Sequence, residues 1–132
     1  MIAIPENFHD LLKDETRAFA YLATVMKDGS PQVTPVWFNV DGDYILVNSA
    51  VGRVKDRNMR RDGRVALTIQ DPKNPYRYVQ VRGQVLEFDT MKGRTHIDAL
   101  AKKYKGLDRF DGPPNQQRML YRIKIKSVDA HG

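Results

Sequence analysis

The sequence predicts a mainly β fold, an antiparallel barrel of six strands with two or three peripheral helices, built as a single domain over residues 1–132. Short runs of period-two alternation recur along the chain, and tight-turn pairs such as Asp28-Gly29 separate them. A last alternating run near the C-terminus is placed to close the sheet. At 132 residues the chain is long enough for one core and too short for two.

Near the N-terminus Phe8, Leu11 and Leu12 have the i, i+3, i+4 spacing of a short helix, which predicts a lid on the core. Residues 18–27 alternate around Phe19, Tyr21, Ala23 and Val25 and lead through Asp28-Gly29 into a second strand over residues 31–40. That strand carries Val33, Pro35 and Trp37 on one face and Thr34, Val36 and Phe38 on the other; Pro35 lacks an N–H and marks an edge or a break. Asp41-Gly42-Asp43 turns the chain into a third strand over residues 44–48, completing a meander. Residues 53–62 are charged and lack β-branched runs, which predicts a helix stopped by Gly63. Strands follow over residues 65–70 and 76–88, separated by a turn with two prolines, and Gly83 within the second predicts a bulge or a close backbone approach. Ile97, Leu100, Ala101 and Tyr104 give the stripe of an amphipathic helix over residues 90–104, with Gly106 placed to end it. The loop through Gly112-Pro113-Pro114 gives the weakest signal, and residues 119–126 form the closing strand with Arg122, Lys124 and Lys126 on its outer face.

Composition narrows the function classes. The chain is 41% hydrophobic and 29% charged, and no apolar stretch reaches the ~20 residues of a membrane span. No secretory signal is visible at the N-terminus, and cysteine is absent, which removes disulfides and thiol chemistry and points to the cytoplasm. His9, His96 and His131 lack metal-ligand spacing, so no metal is expected. No nucleophile elbow, Walker loop or dinucleotide glycine fingerprint is present. No side chain stands out as catalytic; if the protein is an enzyme, an organic cofactor carries the reaction.

The net charge of +6 calls for an anionic partner, and its distribution is focused. Between Arg53 and Arg64 six basic residues stand against Asp56 and Asp62. This segment leaves a strand, crosses a loop containing Gly52 and opens a helix, so backbone N–H groups and the positive dipole end join Ser49, Arg53 and Lys55 at one place. That combination suits a phosphate or polycarboxylate tail; the plain alternative is a solvated basic helix face. In Thr34-Pro-Val-Trp-Phe38, one of Trp37 and Phe38 is expected in the core and the other against a ligand. Tyr76 and Tyr78 can serve core, ring stacking or an interface, the last being preferred.

Gln32-Val-Thr-Pro-Val-Trp37, the strand end at Asn48-Ser49 and above all Arg53-Val-Lys-Asp-Arg-Asn-Met-Arg-Arg-Asp-Gly-Arg64 resemble the pyridoxamine 5'-phosphate oxidase-like split β-barrel family, in particular its B group of flavin/deazaflavin oxidoreductases. The resemblance covers nearly the whole chain. It implies a homodimer of six-stranded Greek-key split barrels, of the FMN-binding type, with two equivalent sites at the subunit interface. It implies coenzyme F420 as cofactor and hydride transfer to an enone, imine or tetrapyrrole-like substrate. Arg53, Lys55 and Asn58 match the family's anchoring helix, with Asn48 and Ser49 beside the phosphate or ring. Gln32, Thr34, Pro35, Val36 and Trp37 match the strand along the tricyclic ring, and Tyr76 and Tyr78 match a region contributed by the other subunit. The chain lacks the extended Trp- and Arg-bearing ending of true pyridoxamine phosphate oxidases, which speaks against vitamin B6 oxidation.

Two alternatives stand beside F420. FMN suits the same cations on the same fold. A non-catalytic cofactor carrier or a nucleic-acid-binding module is the alternative from another class, and nucleic acid is disfavoured because Asp56 and Asp62 interrupt the basic run and no stacking aromatics are interleaved with it.

Overall fold

A computed structural model describes residues 3–132. Seven strands form one antiparallel sheet: β1 (Ala20–Val25), β2 (Pro31–Val36), β3 (Phe38–Asp41), β4 (Tyr44–Ala50), β5 (Arg64–Asp71), β6 (Asn74–Asp89) and β7 (Arg118–His131). Helix α1 (Val54–Arg61) follows β4, α2 (Gly93–Lys105) lies between β6 and β7, and two 3-10 segments, Glu6–Leu12 and Asp14–Thr16, precede β1. The strand order is β2-β1-β5-β6-β7-β4-β3. Val36 at one edge and Phe38 at the other belong to the same core cluster, so the sheet curls round to enclose it as a split barrel. No described helix is long and apolar enough to cross a membrane.

Alternation decides which side each residue takes. Register places Ala20, Leu22, Leu67, Ile69, Val79 and Val81 together on the inner side, all essentially buried. Phe8, Leu11 and Leu12 cover this core from the N-terminal 3-10 segment, as their spacing predicts. Gly83 sits at a register shift between β6 and β7, as expected; a Cβ there would come within 2.7 Å of Lys124 O. Helix α1 sends Met59 into the core and packs against β1 and β4. Helix α2 covers the outer side of β4 and β7 and ends at a left-handed Gly106, as predicted. β4 is therefore buried on both faces from Ile45 to Ala50.

The strand expected over residues 31–40 is two strands. β2 pairs with β1, β3 pairs with β4, and they lie at opposite edges of the sheet. Period two runs unbroken through Val36-Trp37-Phe38, so local pattern hides the crossing, which comes two residues after Pro35. The corner is held by α2 rather than by a ladder: Tyr104 Oη accepts from Phe38 N at 3.2 Å and Lys103 Nζ donates to Phe38 O at 2.6 Å. The strand count is accordingly seven, not six, the first strands are two hairpins rather than a meander, and no ladder joins β2 to β3 among the described residues. Gly63 does not stop α1. Asp62 does, in extended conformation at φ −144°, while its carboxylate accepts from Arg64 N.

Candidate functional site

The end of β4, the start of α1, the Trp37 corner, α2 and the start of β7 meet around a cleft of about 260 Å³. Its apolar side is lined by Phe19, Pro35, Val36, Trp37, Ile97, Leu100 and Phe110, and its polar side by Asn48, Arg53, Lys55 and Arg118. Six of the residues expected at a site are thus brought together: Pro35, Val36, Trp37, Asn48, Arg53 and Lys55.

The loop into α1 is held from within. Asp56, fully buried, accepts from Gly52 N at 2.8 Å, from Arg60 and from Tyr121 Oη, and burial followed by the Asp56 carboxylate raises the Tyr121 hydroxyl pKa. Val51 N donates to Gln117 O, tying the loop to the start of β7. Arg53 takes the N-cap position with no side-chain cap, and Lys55 follows in the first turn. The other four cations of the basic segment do not reach the cleft. Arg60 pairs with Asp56, Arg64 pairs with Asp62, Arg61 binds Asn58 and Val25 O, and Arg57 is exposed.

Arg53, Lys55 and Arg118 form no ion pair among the described residues. Burial lowers the Lys55 pKa, and Arg53 and Arg118 lower it further. Burial, then Arg53 and Arg94, bring Arg118 down to about 10. Cations that depress one another without a carboxylate between them favour an anion at the same place.

Trp37 forms the aromatic wall. Its indole lies parallel to the Tyr104 ring at 5.2 Å and 8°, Tyr104 stacks in turn on Phe19 at 5.3 Å, and Phe110 meets Trp37 edge-on at 6.1 Å. Tyr104 Oη also donates to Ala18 O at 2.6 Å, so one side chain fastens the start of β1, the corner and the wall. Of Trp37 and Phe38, Phe38 is the core residue and Trp37 faces the cleft.

The remaining expected residues lie elsewhere. Asn58 Nδ2 donates to Thr24 Oγ1 and Met26 Sδ and its Oδ1 accepts from Arg61, which joins α1 to β1. Ser49 is buried, with its Oγ 3.4 Å from Ala50 O, and Gln32 Oε1 accepts from Thr24 Oγ1. Thr34 Oγ1 is buried without a partner among the described residues. Tyr76 is 84% exposed and Tyr78 stacks on His131, both on β6 away from the cleft.

Sequence reasoning missed Arg118, His96 and Phe110. Arg118 precedes the alternating run of β7 and reads as one more exposed cation, whereas the packing of α2 on β7 leaves it 6% exposed. His96 joins Asn39 and Asn48, and only the fold brings those three together.

The sequence profile of the family described as pyridoxamine 5'-phosphate oxidase matches residues 4–132. A solved structure named F420 reductase superposes with TM-score 0.83 at 31% identity, covering 96% of this chain and 98% of that one. A conserved hypothetical protein from Mycobacterium tuberculosis gives TM-score 0.72 at 22% identity over 97% and 84% of the two chains. HupZ of Group A Streptococcus gives 0.70 at 19% over 96% and 93%. The last two likenesses carry the fold alone. No curated protein matches the chain.

Proposed function

Since the chain belongs to the pyridoxamine 5'-phosphate oxidase family, we propose that it is an oxidoreductase whose cleft holds the deazaflavin coenzyme F420 and positions it against an electron-poor small molecule. The observation that carries this assignment is the convergence of three cations without a counter-ion beside an aromatic wall. It matches a ligand with an anionic tail and a flat ring. The 31% identity to a protein named F420 reductase favours the deazaflavin over FMN.

The residues present fit such a ligand. Arg53 and Lys55 bind the anionic tail beside the uncapped N–H groups of α1. Pro35, Val36 and Trp37 set the ring plane, and Tyr104 keeps the indole from turning. Phe19 and Phe110 exclude water from the apolar side. Bound there, the deazaflavin supplies two-electron hydride chemistry to an enone, imine or tetrapyrrole-like acceptor. The titratable side chains lining the cleft are the cations Arg53, Lys55 and Arg118, and His96 stands behind Asn48 with both ring nitrogens hydrogen-bonded, so the side chains here bind and orient.

One chain supplies part of the site. A cleft of about 260 Å³ falls below the ~300–1,000 Å³ of pockets that enclose a drug-sized ligand. A second copy of the chain, bringing Tyr76 and Tyr78 from its β6, would complete it as a homodimer. In this assignment residues 1–132 act as one cofactor-binding domain, and a chain without cysteine suits the reducing cytoplasm.

The test is titration with oxidised coenzyme F420 and with FMN, following cofactor fluorescence. Saturable F420 binding at one per chain, tighter than FMN, is expected. Tighter FMN binding, or a yellow protein as purified, moves the assignment to FMN. Binding of neither overturns it.

A further inference from the structure

Arg118, the first residue of β7, is held by side-chain hydrogen bonds as the other two cations of the cleft, Arg53 and Lys55, are not among the described residues. Its Nε donates to Asn48 Oδ1 at 3.0 Å, its Nη1 donates to Gln116 Oε1 at 3.1 Å, and its guanidinium lies 5.0 Å from the centre of the Phe110 ring. Nη2 has no protein acceptor among the described residues. The side chain lines the cleft although the residue is only 6% exposed.

The Asn48 amide that holds it has one orientation. Asn48 Nδ2 donates to Gly93 O at 2.9 Å and to His96 Nδ1 at 3.0 Å, which leaves Oδ1 as the acceptor turned to Arg118. His96 Nδ1 must then be unprotonated, so Nε2 carries the hydrogen and donates to Asn39 Oδ1 at 2.9 Å. Burial followed by Arg118 and Arg122 brings the His96 pKa down to about 4, which keeps the ring neutral. A chain of donors and acceptors thus crosses from β3 through α2 and β4 to β7, and at its end only a donor fits.

An apolar side chain would fill this space without repulsion from Arg53 and Arg94. A guanidinium fixed at two nitrogens, largely buried and without a carboxylate partner among the described residues is fitted to an anion that arrives with a ligand. Arg53 and Lys55 already match a single phosphate, and Arg118 is a third charge on a different element.

We propose that Arg118, oriented by Asn48 and His96, binds a second oxyanion in the cleft, a carboxylate or phosphate distinct from the phosphate held by Arg53 and Lys55. The site therefore takes a ligand set with two anionic points. Only the naming of the ligand rests on the F420 assignment. The second oxyanion comes from the cofactor's own carboxylate-bearing tail or from the co-substrate.

The test uses the full chain with Arg118→Met, Arg118→Lys and the unchanged protein. The probes are coenzyme F420, the same deazaflavin lacking phosphate and carboxylates, and the free anions phosphate and citrate read by thermal shift. Arg118→Met should weaken F420 at least tenfold while changing the tailless ring less than twofold, and Arg118→Lys should recover part of the loss. That outcome assigns the oxyanion to the cofactor. If F420 affinity is unchanged but citrate stabilises the loaded unchanged protein and not the loaded Arg118→Met, the oxyanion belongs to the co-substrate. Equal F420 affinity together with equal anion-induced shifts in all three proteins overturns the proposal. If the unchanged protein binds no deazaflavin, the F420 assignment fails, while loss or retention of anion-induced stabilisation on changing Arg118 still decides the anion site. Arg118→Lys keeps the charge and supplies the comparison should Arg118→Met fold poorly.

Discussion

Lys55 and Arg57 lie two positions apart on one helix and carry the same charge, yet Lys55 lines the cleft and Arg57 points into solvent. Lys55→Ala should weaken F420 binding at least tenfold, because a charge-assisted hydrogen bond is worth ~1.5–3 kcal/mol, and Arg57→Ala should change it less than twofold. Fluorescence titration of both variants checks this, and equal losses would show that only general charge matters. His96 supports a second prediction. It titrates in the folded protein at about 4, below its ordinary 6.5. The unfolded chain therefore takes up a proton between about pH 6.5 and 4 while the folded one does not, and stability falls as the pH drops through that window, by up to roughly 3 kcal/mol. Denaturant unfolding at pH 7 and pH 4.5 should show this loss, and His96→Asn should lose less. The sequence made Lys55 legible because a helix start after a strand end is a local feature. His96 and Arg118 were not legible, since their roles depend on partners 48 and 70 positions away.

At the scale of elements, helix α2 was readable in its stripe and its terminal glycine, but what it covers was not. Leu46, Asn48 and Leu120 lie on the outer side of β4 and β7, where alternation predicts solvent, and α2 buries them. At Gly93 the helix lies directly against the backbone of β7. An added Cβ there would come within 1.9 Å of Arg118 O, a backbone atom that cannot move without shifting β7. Gly93 O also accepts from Asn48, so the same residue sets both the helix position and the amide that holds Arg118. Gly93→Ala should cost about 3 kcal/mol, the upper range for overpacking, and lower the melting temperature by roughly 10 °C. Calorimetry reads the stability, and the surviving fold should bind F420 more weakly because Arg118 is displaced. A melting temperature within about 2 °C of the unchanged protein would mean that α2 docks more loosely than this contact implies. The split of the strand over residues 31–40 escaped sequence reasoning for a related reason. Its cause lies in Lys103 and Tyr104, more than sixty positions on, which hold the Phe38 backbone where a neighbouring strand would otherwise pair.

For the whole molecule, the outer side of the sheet carries a feature that a solvent-facing surface does not need. Register aligns Val33, Ala23 and Ala66 in one row and Pro35, Tyr21 and Thr68 in the next, across β2, β1 and β5. Val33 is 63% exposed and Tyr21 40%. Beside them runs a groove of about 680 Å³ lined by Ala23, Val25, Pro31 and Ala66, with Arg64, Arg82 and Lys126 at its polar side. An apolar row continuous over three strands is the kind of surface that a second copy covers, and a stable pairing buries ~1,200–2,000 Å² in all. Pro35 belongs both to this outer face and to the cleft, so a copy paired there would also reach the cleft. We therefore expect the protein to sediment at twice its 15.2 kDa chain mass. Ala66→Arg places a charge at the β5 end of the row without touching the cleft, and it should yield a folded monomer with unchanged far-ultraviolet circular dichroism. Because the monomer keeps Arg53, Lys55 and Trp37 but loses the facing wall, its F420 affinity should fall at least tenfold. A dimer that survives Ala66→Arg would place the pairing surface elsewhere. A monomer that binds F420 as tightly as the dimer would mean that one chain holds the whole site.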